Sequence, residues 1–365
     1  MNDDIKVLSL FTGIGGMDMG FDSQVIVHKD SIANKEFIDK NYNIKDFVCL
    51  KKHNCRSVFQ NDILIGAKEV FGYNNTNEHY NTTSIYNLIE DNFVFPQADV
   101  IIGGFPCQDF SHAGKRKGFK SDKGHDLKEE VDNTKENSRG TLYKSFVEVV
   151  KRVKPKMFVA ENVYGLLTME NEPIKQIMKD FADVGYDVNY QLVYCPDFGI
   201  PQTRKRVIIM GISNNRNKQL QPDWNIITKN KTTCNIGKYF QHLKEPDITT
   251  DMSQMVYSKA KRLKKGQGQT EINLNSFAPT MRAEHHGNIE FRRHSDSKVN
   301  ETESNMPERR LTIREAGLIQ TFPPDYIFNK KKTMTSYKYI GNAVPPLLGY
   351  LIADKICELN NVYFT

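Results

Sequence analysis

The first 211 residues alternate between short apolar runs and longer stretches in which apolar residues recur every three or four positions. Short apolar runs predict strands, and the three- and four-residue spacing predicts amphipathic helices. We expect strands at 7–11, 25–27, 100–102, 157–160 and 207–210, and helices at 142–153, 173–184, 313–320 and 346–359. Because the two alternate, the fold class should be α/β, with a doubly wound, mostly parallel sheet covered on both faces.

After Gly211 the alternation gives way to a long polar region that extends to about Pro307. The chain of 365 residues exceeds the usual size of one domain, so we expect this region to form a second, smaller domain. Residues 71–92 are rich in Asn, Thr and Tyr, and residues 120–137 are rich in charge. We interpret both stretches as inserted surface segments.

The amino-acid composition argues against some classes of protein but does not identify a single class. No apolar run approaches the roughly 18 residues of a membrane span, and the first residues lack the regions of a secretory signal. We therefore expect a soluble, cytoplasmic protein with no membrane partner. The net charge of +6 suits a nucleic-acid-binding protein and equally an ordinary basic enzyme. The six cysteines form no C-x-x-C pair and have no nearby His pattern, so we expect no metal site.

The first predicted strand leads directly into a turn at residues 11–16, the glycine turn, which contains Gly13, Gly15 and Gly16. Glycine lets the backbone pass close to a ligand, and a helix start offers amides to a carboxylate or phosphate. The spacing lacks the full G-x-G-x-x-G pattern, which argues against NAD. Asp30 follows the next predicted strand, where doubly wound folds keep an acid for a ribose hydroxyl. A solvated loop aspartate is the alternative.

The predicted strand at 100–102 ends in two glycines and is followed by Pro106 and Cys107. This places the cysteine at the carboxyl end of a strand, where ligands bind in open α/β folds. Proline fixes the backbone just before it, which would present a nucleophile in one orientation. The alternative is a buried structural cysteine in a turn.

Two further predicted strands carry charged residues toward the same crevice. Glu161 and Asn162 end one of them, and a partly buried carboxyl group suits a proton donor. Arg204 and Arg206 precede the next strand, on one side of an alternating pattern. Guanidinium groups beside a crevice suit the binding of a carbonyl or an oxyanion.

Taken in order, these segments resemble the motifs of the DNA (cytosine-5-)-methyltransferases, especially the bacterial restriction-modification type. The glycine turn resembles their cofactor motif and Pro106-Cys107 their nucleophile motif. Glu161-Asn162-Val163 resembles the acid motif, and Gln202-x-Arg204-x-Arg206 the arginine motif. Residues 309–323 and 337–346 resemble the last two motifs, so the resemblance spans nearly the whole chain.

The resemblance implies methyl transfer from S-adenosylmethionine to carbon-5 of a cytosine in double-stranded DNA. Cys107 would add to carbon-6, Glu161 would act at ring nitrogen-3, Arg206 would hold the carbonyl oxygen, and Arg204 would support both. The base must leave the helix, because neither face of its ring is open in stacked DNA. A restriction endonuclease as functional partner and a monomeric enzyme are further expectations.

The resemblance also implies a cofactor pocket built from both ends of the chain. The residues that it assigns to the pocket are Phe11, Gly13, Gly15, Asp30, Asp62, Pro106, Leu142 and Asn342. Asp30 would bind the ribose and Asp62 the adenine amino group. Asn342 would close the pocket from the C-terminal side, so the tail should pack on the N-terminal domain.

Residues 213–307 correspond to the target-recognition domain of the family, between a catalytic domain at 1–212 and a returning segment at 308–365. Between residues 259 and 293 there are eight Lys or Arg residues against three acids, interspersed with amides and histidines. Basic groups position phosphates, while amides and arginines read base edges. The predicted DNA-binding residues are Ser111, Arg282, His285, His286, Arg292 and Arg293.

Three other functions compete with this one. An RNA cytosine methyltransferase could use the same scaffold, although the large region after Gly211 favours a reader of duplex DNA. A non-catalytic DNA-binding regulator could keep the fold, but intact Cys107, Glu161 and Arg206 argue against it. An NAD-dependent enzyme is disfavoured by the glycine spacing.

Overall fold

A seven-stranded sheet forms the centre of the molecule. The computed structural model describes residues 4–75, 79–106, 142–170, 172–220, 225–230, 232, 234–261, 268–283, 288–293, 308–328 and 333–365. The strands in chain order are β1 (Ile5–Leu10), β2 (Ile26–His28), β3 (Ile38–Ile44), β4 (Phe47–Leu50), β5 (Cys55–Asn61), β6 (Tyr80–Asn81), β7 (Val100–Gly103), β8 (Met157–Val163), β9 (Tyr186–Tyr194), β10 (Lys205–Ser213), β11 (Phe291–Arg293) and β12 (Glu308–Arg310). The helices are α1 (Asp18–Asp22), α2 (Ile65–Asn74), α3 (Ile85–Glu90), α4 (Leu142–Val153), α5 (Pro173–Asp183), α6 (Ile236–Phe240), α7 (Met252–Met255), α8 (Ile313–Ile319), α9 (Thr333–Asn342) and α10 (Pro346–Tyr363).

The strands of the large sheet follow the order β6-β5-β1-β7-β8-β10-β9. β1 pairs in parallel with β5 and β7, and β8 runs parallel beside β7. β10 runs antiparallel to both β8 and β9. The sheet is therefore mostly parallel, which confirms the predicted fold class. The carboxyl ends of β1, β5, β7 and β8 meet at one edge, which we call the carboxyl edge.

Helices cover both faces of this sheet because its central strands are apolar on both sides. Along β10, Val207 and Ile209 pack into the core beneath α4 and α5, whereas Ile208 and Met210 pack into the core beneath α10. The buried side chains of α4, among them Phe146, recur at three- and four-residue spacing. They pack into the same core as Val207 and Ile209. The sheet is thus doubly wound, with both faces buried.

A second sheet of three strands, in the order β2-β4-β3, departs from the predicted arrangement. The strand expected at 25–27 is β2, and it pairs with β4 and not with the large sheet. The place beside β1 belongs to β5, a strand that the periodicity did not predict. The small sheet packs against α6, with the His28 and Phe47 rings 5.8 Å and 5.7 Å from the ring of Tyr239.

The interpretation of residues 71–92 as an inserted surface segment is wrong. This stretch contains the end of α2, then β6 at the edge of the large sheet, then α3. Tyr80, Ile85 and Leu88 are buried, because a strand and a helix in this position must cover the sheet edge and the adjoining core. The second proposed insertion, 120–137, lies outside the described residues.

The two ends of the chain pack together through α1 and α10. A Cβ atom built on Gly20 would lie 2.0 Å from the carbonyl carbon of Gly349, so the two backbones are in direct contact. Between Ser213 and β12 the described chain has only short elements, α6, α7 and β11. The domain boundaries at 212 and 307 stay predictions. Among the described helices, none is both long and apolar enough to cross a membrane.

Candidate active site

Four chain segments leave the large sheet side by side at the carboxyl edge. β1 continues into the glycine turn, β5 into Asp62, β7 into Gly104 and β8 ends at Val163. Ligands bind outside the carboxyl ends of strands in doubly wound folds, near the point where the strand order reverses. Here that point lies around β1, which makes this edge the candidate site.

The glycine turn has an unusual backbone. Phe11, Gly13 and Gly15 have φ values of 55°, 57° and 79°. A side-chain-bearing residue such as Phe11 adopts this region at a cost of about 1–3 kcal/mol, and residues of this kind cluster at ligand sites. A Cβ atom built on Gly13 would meet no heavy atom within 4 Å. The turn therefore combines a constrained backbone with open space beside it.

Asp62 and Tyr80 fix the turn through the backbone of Gly13. The Gly13 N–H donates to Asp62 Oδ2 at 3.0 Å, and the Tyr80 hydroxyl donates to the Gly13 carbonyl at 2.8 Å. Asp62 Oδ1 accepts a second hydrogen bond from the Leu64 N–H at 2.9 Å. Burial raises the pKa of Asp62, and these two hydrogen bonds oppose that shift. The carboxyl group of Asp62 thus lies next to the glycine turn.

Asp30 lies in the short 3-10 turn that follows β2 of the small sheet. It follows β2, which pairs within the small sheet, and its contact with the ribose stays a prediction. Its Oδ2 lies 2.5 Å from Lys238 Nζ. This hydrogen bond lowers the pKa of the Asp30 carboxyl. The structure therefore gives Asp30 a partner between the small sheet and α6.

Glu161 and Arg206 form an ion pair at the carboxyl edge. They lie on the neighbouring strands β8 and β10, and Arg206 Nε is 2.7 Å from Glu161 Oε1. Their side chains are only 10% and 14% exposed, which leaves little water to screen the two charges. A Cβ atom built on Gly104 would lie 3.1 Å from Glu161 Oε2. The chain that leads to Cys107 therefore starts beside this carboxylate.

Arg204 makes a different set of contacts from Arg206. Its guanidinium is buried and donates to the carbonyl oxygens of Met281, Gly341 and Ala343 at 2.9, 3.1 and 3.2 Å. These contacts connect the start of β10 to the chain on either side of Asn342. A role for Arg204 in supporting Glu161 and Arg206 stays a prediction, and its observed contacts are those of a positioning residue.

The loop after α9 packs on the glycine turn. A Cβ atom built on Gly16 would lie 2.2 Å from the Val344 carbonyl oxygen, and the Tyr326 hydroxyl donates to the Ile14 carbonyl at 2.6 Å. The expectation that the tail packs on the N-terminal domain is confirmed. Asn342 is exposed at the end of α9, and its contact with a cofactor stays a prediction.

Three arginines predicted to bind DNA have acidic partners within the fold. Arg292 is buried, with Nη1 2.5 Å from Glu315 Oε1, so its guanidinium packs inside the protein, and its contact with DNA stays a prediction. Arg293 is partly exposed and pairs with Glu271 at 2.8 Å and Glu308 at 2.9 Å. Arg282 lies 3.4 Å from Glu290.

Several predicted residues lie outside the described part of the chain, namely Cys107, Ser111, His285 and His286. Pro106 is half-buried at the end of the described segment before them, and Leu142 is half-buried at the start of α4. Phe105 is buried, with its ring centroid 6.2 Å from that of Tyr143 on α4. This contact anchors the chain one residue before Pro106.

Two polar residues near the turn escaped the sequence reasoning. Tyr80 lies within the stretch 71–92 that was interpreted as an insertion, so its place beside the glycine turn was not predicted. Asp18 is fully buried in α1, and burial raises its pKa to about 7 against the lowering effect of a hydrogen bond with Ser9. No periodicity signals a buried aspartate. Within the described residues there is no cluster of three His, Cys, Asp or Glu side chains that could hold a metal ion.

Comparison with known proteins agrees with this geometry. The family model described as C-5 cytosine-specific DNA methylase matches residues 5–358. The chain is 30% identical to the Type II methyltransferase M.BspRI of Lysinibacillus sphaericus, over 98% of this chain and 82% of that protein. It is 29% identical to the Type II methyltransferase M.BsuRI of Bacillus subtilis, over 98% of this chain and 80% of that protein.

Solved structures share the fold at low sequence identity. A variant of Spodoptera frugiperda DNMT2 has a TM-score of 0.60 at 14% identity, covering 97% of this chain and 99% of that one. The S. pombe Dnmt2 methyltransferase has a TM-score of 0.59 at 17% identity, covering 98% of this chain and 99% of that one. These likenesses concern the fold alone.

Proposed function

Because the chain belongs to the C-5 cytosine-specific DNA methylase family, and so is a methyltransferase that acts on cytosine in DNA, we propose how its residues perform the reaction. The methyl donor is S-adenosylmethionine, the substrate is a cytosine flipped out of a specific duplex sequence, and Cys107 is the nucleophile. The observation that carries this proposal is the shielded Glu161–Arg206 pair beside Gly104.

Covalent geometry keeps the nucleophile near that pair. Three residues carry the chain from Gly104 to Cys107, a span of at most about 11 Å. Gly104 itself lies against the Glu161 carboxylate. A cytosine that enters this edge could therefore meet Cys107 on one ring face while its polar edge meets Glu161 and Arg206.

The chemistry follows from the weak nucleophilicity of cytosine carbon-5. The Cys107 thiolate adds its electron pair to carbon-6, and the ring electrons move toward carbon-5. Glu161 donates a proton or hydrogen bond to nitrogen-3, and Arg206 binds the carbonyl oxygen, so both offset the charge that develops on the ring. Carbon-5 then takes the methyl group, its proton leaves to solvent, and the bond between carbon-6 and the Cys107 sulfur breaks.

The glycine turn fits the methyl donor. S-adenosylmethionine supplies an electrophilic methyl group on a sulfonium. The open space beside Gly13 admits a ligand against the backbone, and the strained Phe11 presents its ring at the end of β1. Of the residues that the family resemblance assigns to the cofactor, those that would line this pocket are Phe11, Gly13, Gly15, Pro106, Leu142 and Asn342.

We propose that Asp30 binds the ribose and that Asp62 binds the adenine amino group. Asp62 comes directly after β5, the strand beside β1, and its Oδ2 accepts a hydrogen bond from the Gly13 N–H. Its carboxyl group therefore lies next to the open space beside Gly13.

The relatives named as Type II methyltransferases support a role in restriction-modification. We propose that a restriction endonuclease of the same sequence specificity is the functional partner, and that the enzyme works as a monomer. Sedimentation of the enzyme with and without a duplex tests the monomer. Cleavage of unmethylated host DNA in cells that lose the methyltransferase gene tests the endonuclease.

The proposed mechanism is tested by transfer of a labelled methyl group to duplex DNA. Cys107→Ala should abolish transfer, and wild type should be trapped covalently on a duplex that carries 5-fluorocytosine. Glu161→Gln should lower kcat by about 10²–10⁴, the usual contribution of a general acid. Glu148→Gln is the matched control, because Glu148 also pairs with an arginine, Arg152 at 2.8 Å, but on the surface of α4.

Full activity of Cys107→Ala, with no covalent trapping of wild type, would overturn the mechanism. If Glu161→Gln and Glu148→Gln lowered kcat equally, the proposed role of Glu161 in catalysis would be contradicted. Bisulfite sequencing of DNA from cells that express the protein would then report which cytosine is methylated.

A further inference from the structure

Lys205, Tyr164 and Tyr194 form a small group at the carboxyl edge, which we call the Lys205 group. Lys205 is the first residue of β10 and is paired in register with Tyr194, the last residue of β9. Tyr164 follows directly after β8. Because Arg206 comes next along β10, Lys205 and Arg206 both lie at the carboxyl edge, with their side chains on opposite faces of the sheet.

The Lys205 ammonium is held by the two aromatic rings. Its Nζ lies 5.4 Å from the ring centroid of Tyr164 and 5.8 Å from that of Tyr194. Cation–π contacts at these distances restrain a side chain that otherwise samples many rotamers. Lys205 is exposed, so its ammonium is both oriented and open to solvent.

Lys205 differs in its charge environment from Lys229 and Lys238, two lysines that pair with carboxylates. Lys229 pairs with Asp197 at 2.7 Å and Lys238 with Asp30 at 2.5 Å. Lys205 has no carboxylate within 4 Å among the residues that the structure describes. An oriented cation without a counter-charge is suited to an anion that arrives with a ligand.

We propose that the Lys205 group binds a backbone phosphate of the DNA strand next to the flipped cytosine. The phosphodiester is the anion that the substrate brings to this edge, and the Tyr194 hydroxyl adds a hydrogen-bond donor of the kind that contacts phosphates. The inference rests on the proposed function, since it needs duplex DNA at the carboxyl edge. Lys205 would position the strand without touching the reacting atoms.

The arginines predicted to bind DNA have acidic partners, so a contact between Lys205 and a phosphate becomes more important for DNA binding. Arg292 is buried against Glu315, while Arg282 and Arg293 have carboxylates at 3.4 Å and 2.8 Å. Their charges are offset within the protein. Lys205, at the carboxyl edge, is a cation whose charge no described carboxylate offsets in this way.

Salt dependence of DNA binding provides a direct test, because each neutralised phosphate contributes about 0.9 to the slope of log Kd against log salt concentration. We expect Lys205→Gln to reduce that slope by about 0.9. At 0.1 M salt its Kd should rise on the order of three- to tenfold, equally for a methylatable and an unrelated duplex. Lys205→Arg should restore the slope, and kcat at saturating DNA should stay at the wild-type value.

Lys151→Gln is the matched control. Lys151 is 64% exposed near the end of α4, just before β8 begins, and so lies at the opposite edge of the sheet. If Lys205→Gln kept the wild-type slope, the phosphate contact would be overturned. Methyl transfer by the wild-type enzyme in the same experiment would leave the proposed function standing. A loss confined to the methylatable duplex, with an unchanged slope, would also overturn the phosphate contact. Absence of both DNA binding and methyl transfer in wild type would overturn both.

Discussion

Asp18 is a buried acid beneath the glycine turn, with Ser9 as hydrogen-bond partner. Burial raises its pKa from 3.8 to about 7, so the folded protein keeps this carboxyl group protonated where the unfolded chain has lost the proton. The folded state therefore binds more protons between these two pKa values. The contribution of Asp18 to stability is complete below about pH 4 and is lost as the pH rises toward 7.

Asp18→Asn should remove this pH dependence. Between pH 5 and pH 8 the free energy of unfolding of wild type should fall by about 3 kcal/mol relative to the variant, as the difference in pKa requires. Denaturant unfolding of both proteins across this range measures the effect. Two parallel pH profiles would show that Asp18 ionises normally in the folded protein.

The position of a single residue in the fold could be predicted from the sequence where the residue stands at the end of a predicted strand. Glu161 and Arg206 were expected at one crevice because both stand at ends of neighbouring elements, and they form an ion pair there. Arg204, two residues earlier, is also an arginine, but its guanidinium donates hydrogen bonds to three backbone carbonyl oxygens. The sequence contains no local signal for this difference, since those carbonyls come from chain segments at least 77 residues away.

At the scale of elements, α8 begins with a capping box in which Thr312 and Glu315 bond each other's backbone N–H. Glu315 is also the buried partner of Arg309 and Arg292 at 2.7 Å and 2.5 Å. Although burial raises its pKa, the hydrogen bonds from Arg309 and the nearby Arg292 hold the pKa at about 2. Glu315 therefore caps the helix and also pairs with two buried guanidinium groups, which share Glu245 as a second carboxylate partner.

Glu315→Gln should destabilise the protein by about 3–5 kcal/mol, because it leaves the buried guanidinium groups of Arg292 and Arg309 with Glu245 as their one remaining carboxylate partner. Since the folded pKa is lowered, the contribution of Glu315 is present above the unfolded pKa of about 4.5 and is lost as the pH falls toward 2. Urea unfolding at several values between pH 3 and pH 6 should show a steeper loss for wild type than for the variant.

Glu308→Gln provides the comparison, because Glu308 also pairs with an arginine, Arg293 at 2.9 Å, but with 28% of its side chain exposed. Its loss should cost less than about 1 kcal/mol, the usual upper value for exposed pairs. Similar losses in the two variants would contradict the role assigned to burial.

Elements were predictable where their apolar pattern was long or unbroken. The helix expected at 142–153 matches α4, and those expected at 173–184 and 313–320 match α5 and α8 to within one residue. β5 was missed because only part of it is buried, so its pattern mixes apolar and polar residues on a sheet near its edge. Because of that omission, the strand beside β1 that leads to Asp62 was not identified from the sequence.

At the scale of the whole molecule, the cofactor end of the site depends on contact between the two chain ends. Gly16 approaches the Val344 carbonyl, and Gly20 in α1 approaches Gly349 in α10. The resemblance predicted that the tail would return to the N-terminal domain, but not that the contact is backbone against backbone. Only glycine allows such an approach, because any side chain would hold the two helices apart.

Gly20→Ala should therefore destabilise the protein and weaken binding of the methyl donor. Its Cβ would lie 2.0 Å from the Gly349 carbonyl carbon and 2.1 Å from the Tyr350 nitrogen, and neither atom belongs to a flexible side chain. Such overpacking costs about 1–3 kcal/mol, and the helices must separate to relieve it. Thermal unfolding and the KM for S-adenosylmethionine measure the two effects, which should appear together because α1 follows the glycine turn.

Gly72→Ala distinguishes this contact from a general effect of replacing a helical glycine. Gly72 lies in α2, and a Cβ atom there would meet no heavy atom within 4 Å. Alanine is favoured over glycine in a helix by up to about 1 kcal/mol, so this variant should be as stable as wild type or more so. If both variants unfolded at the wild-type temperature with an unchanged KM, the close approach of α1 and α10 would not be what holds the glycine turn in place.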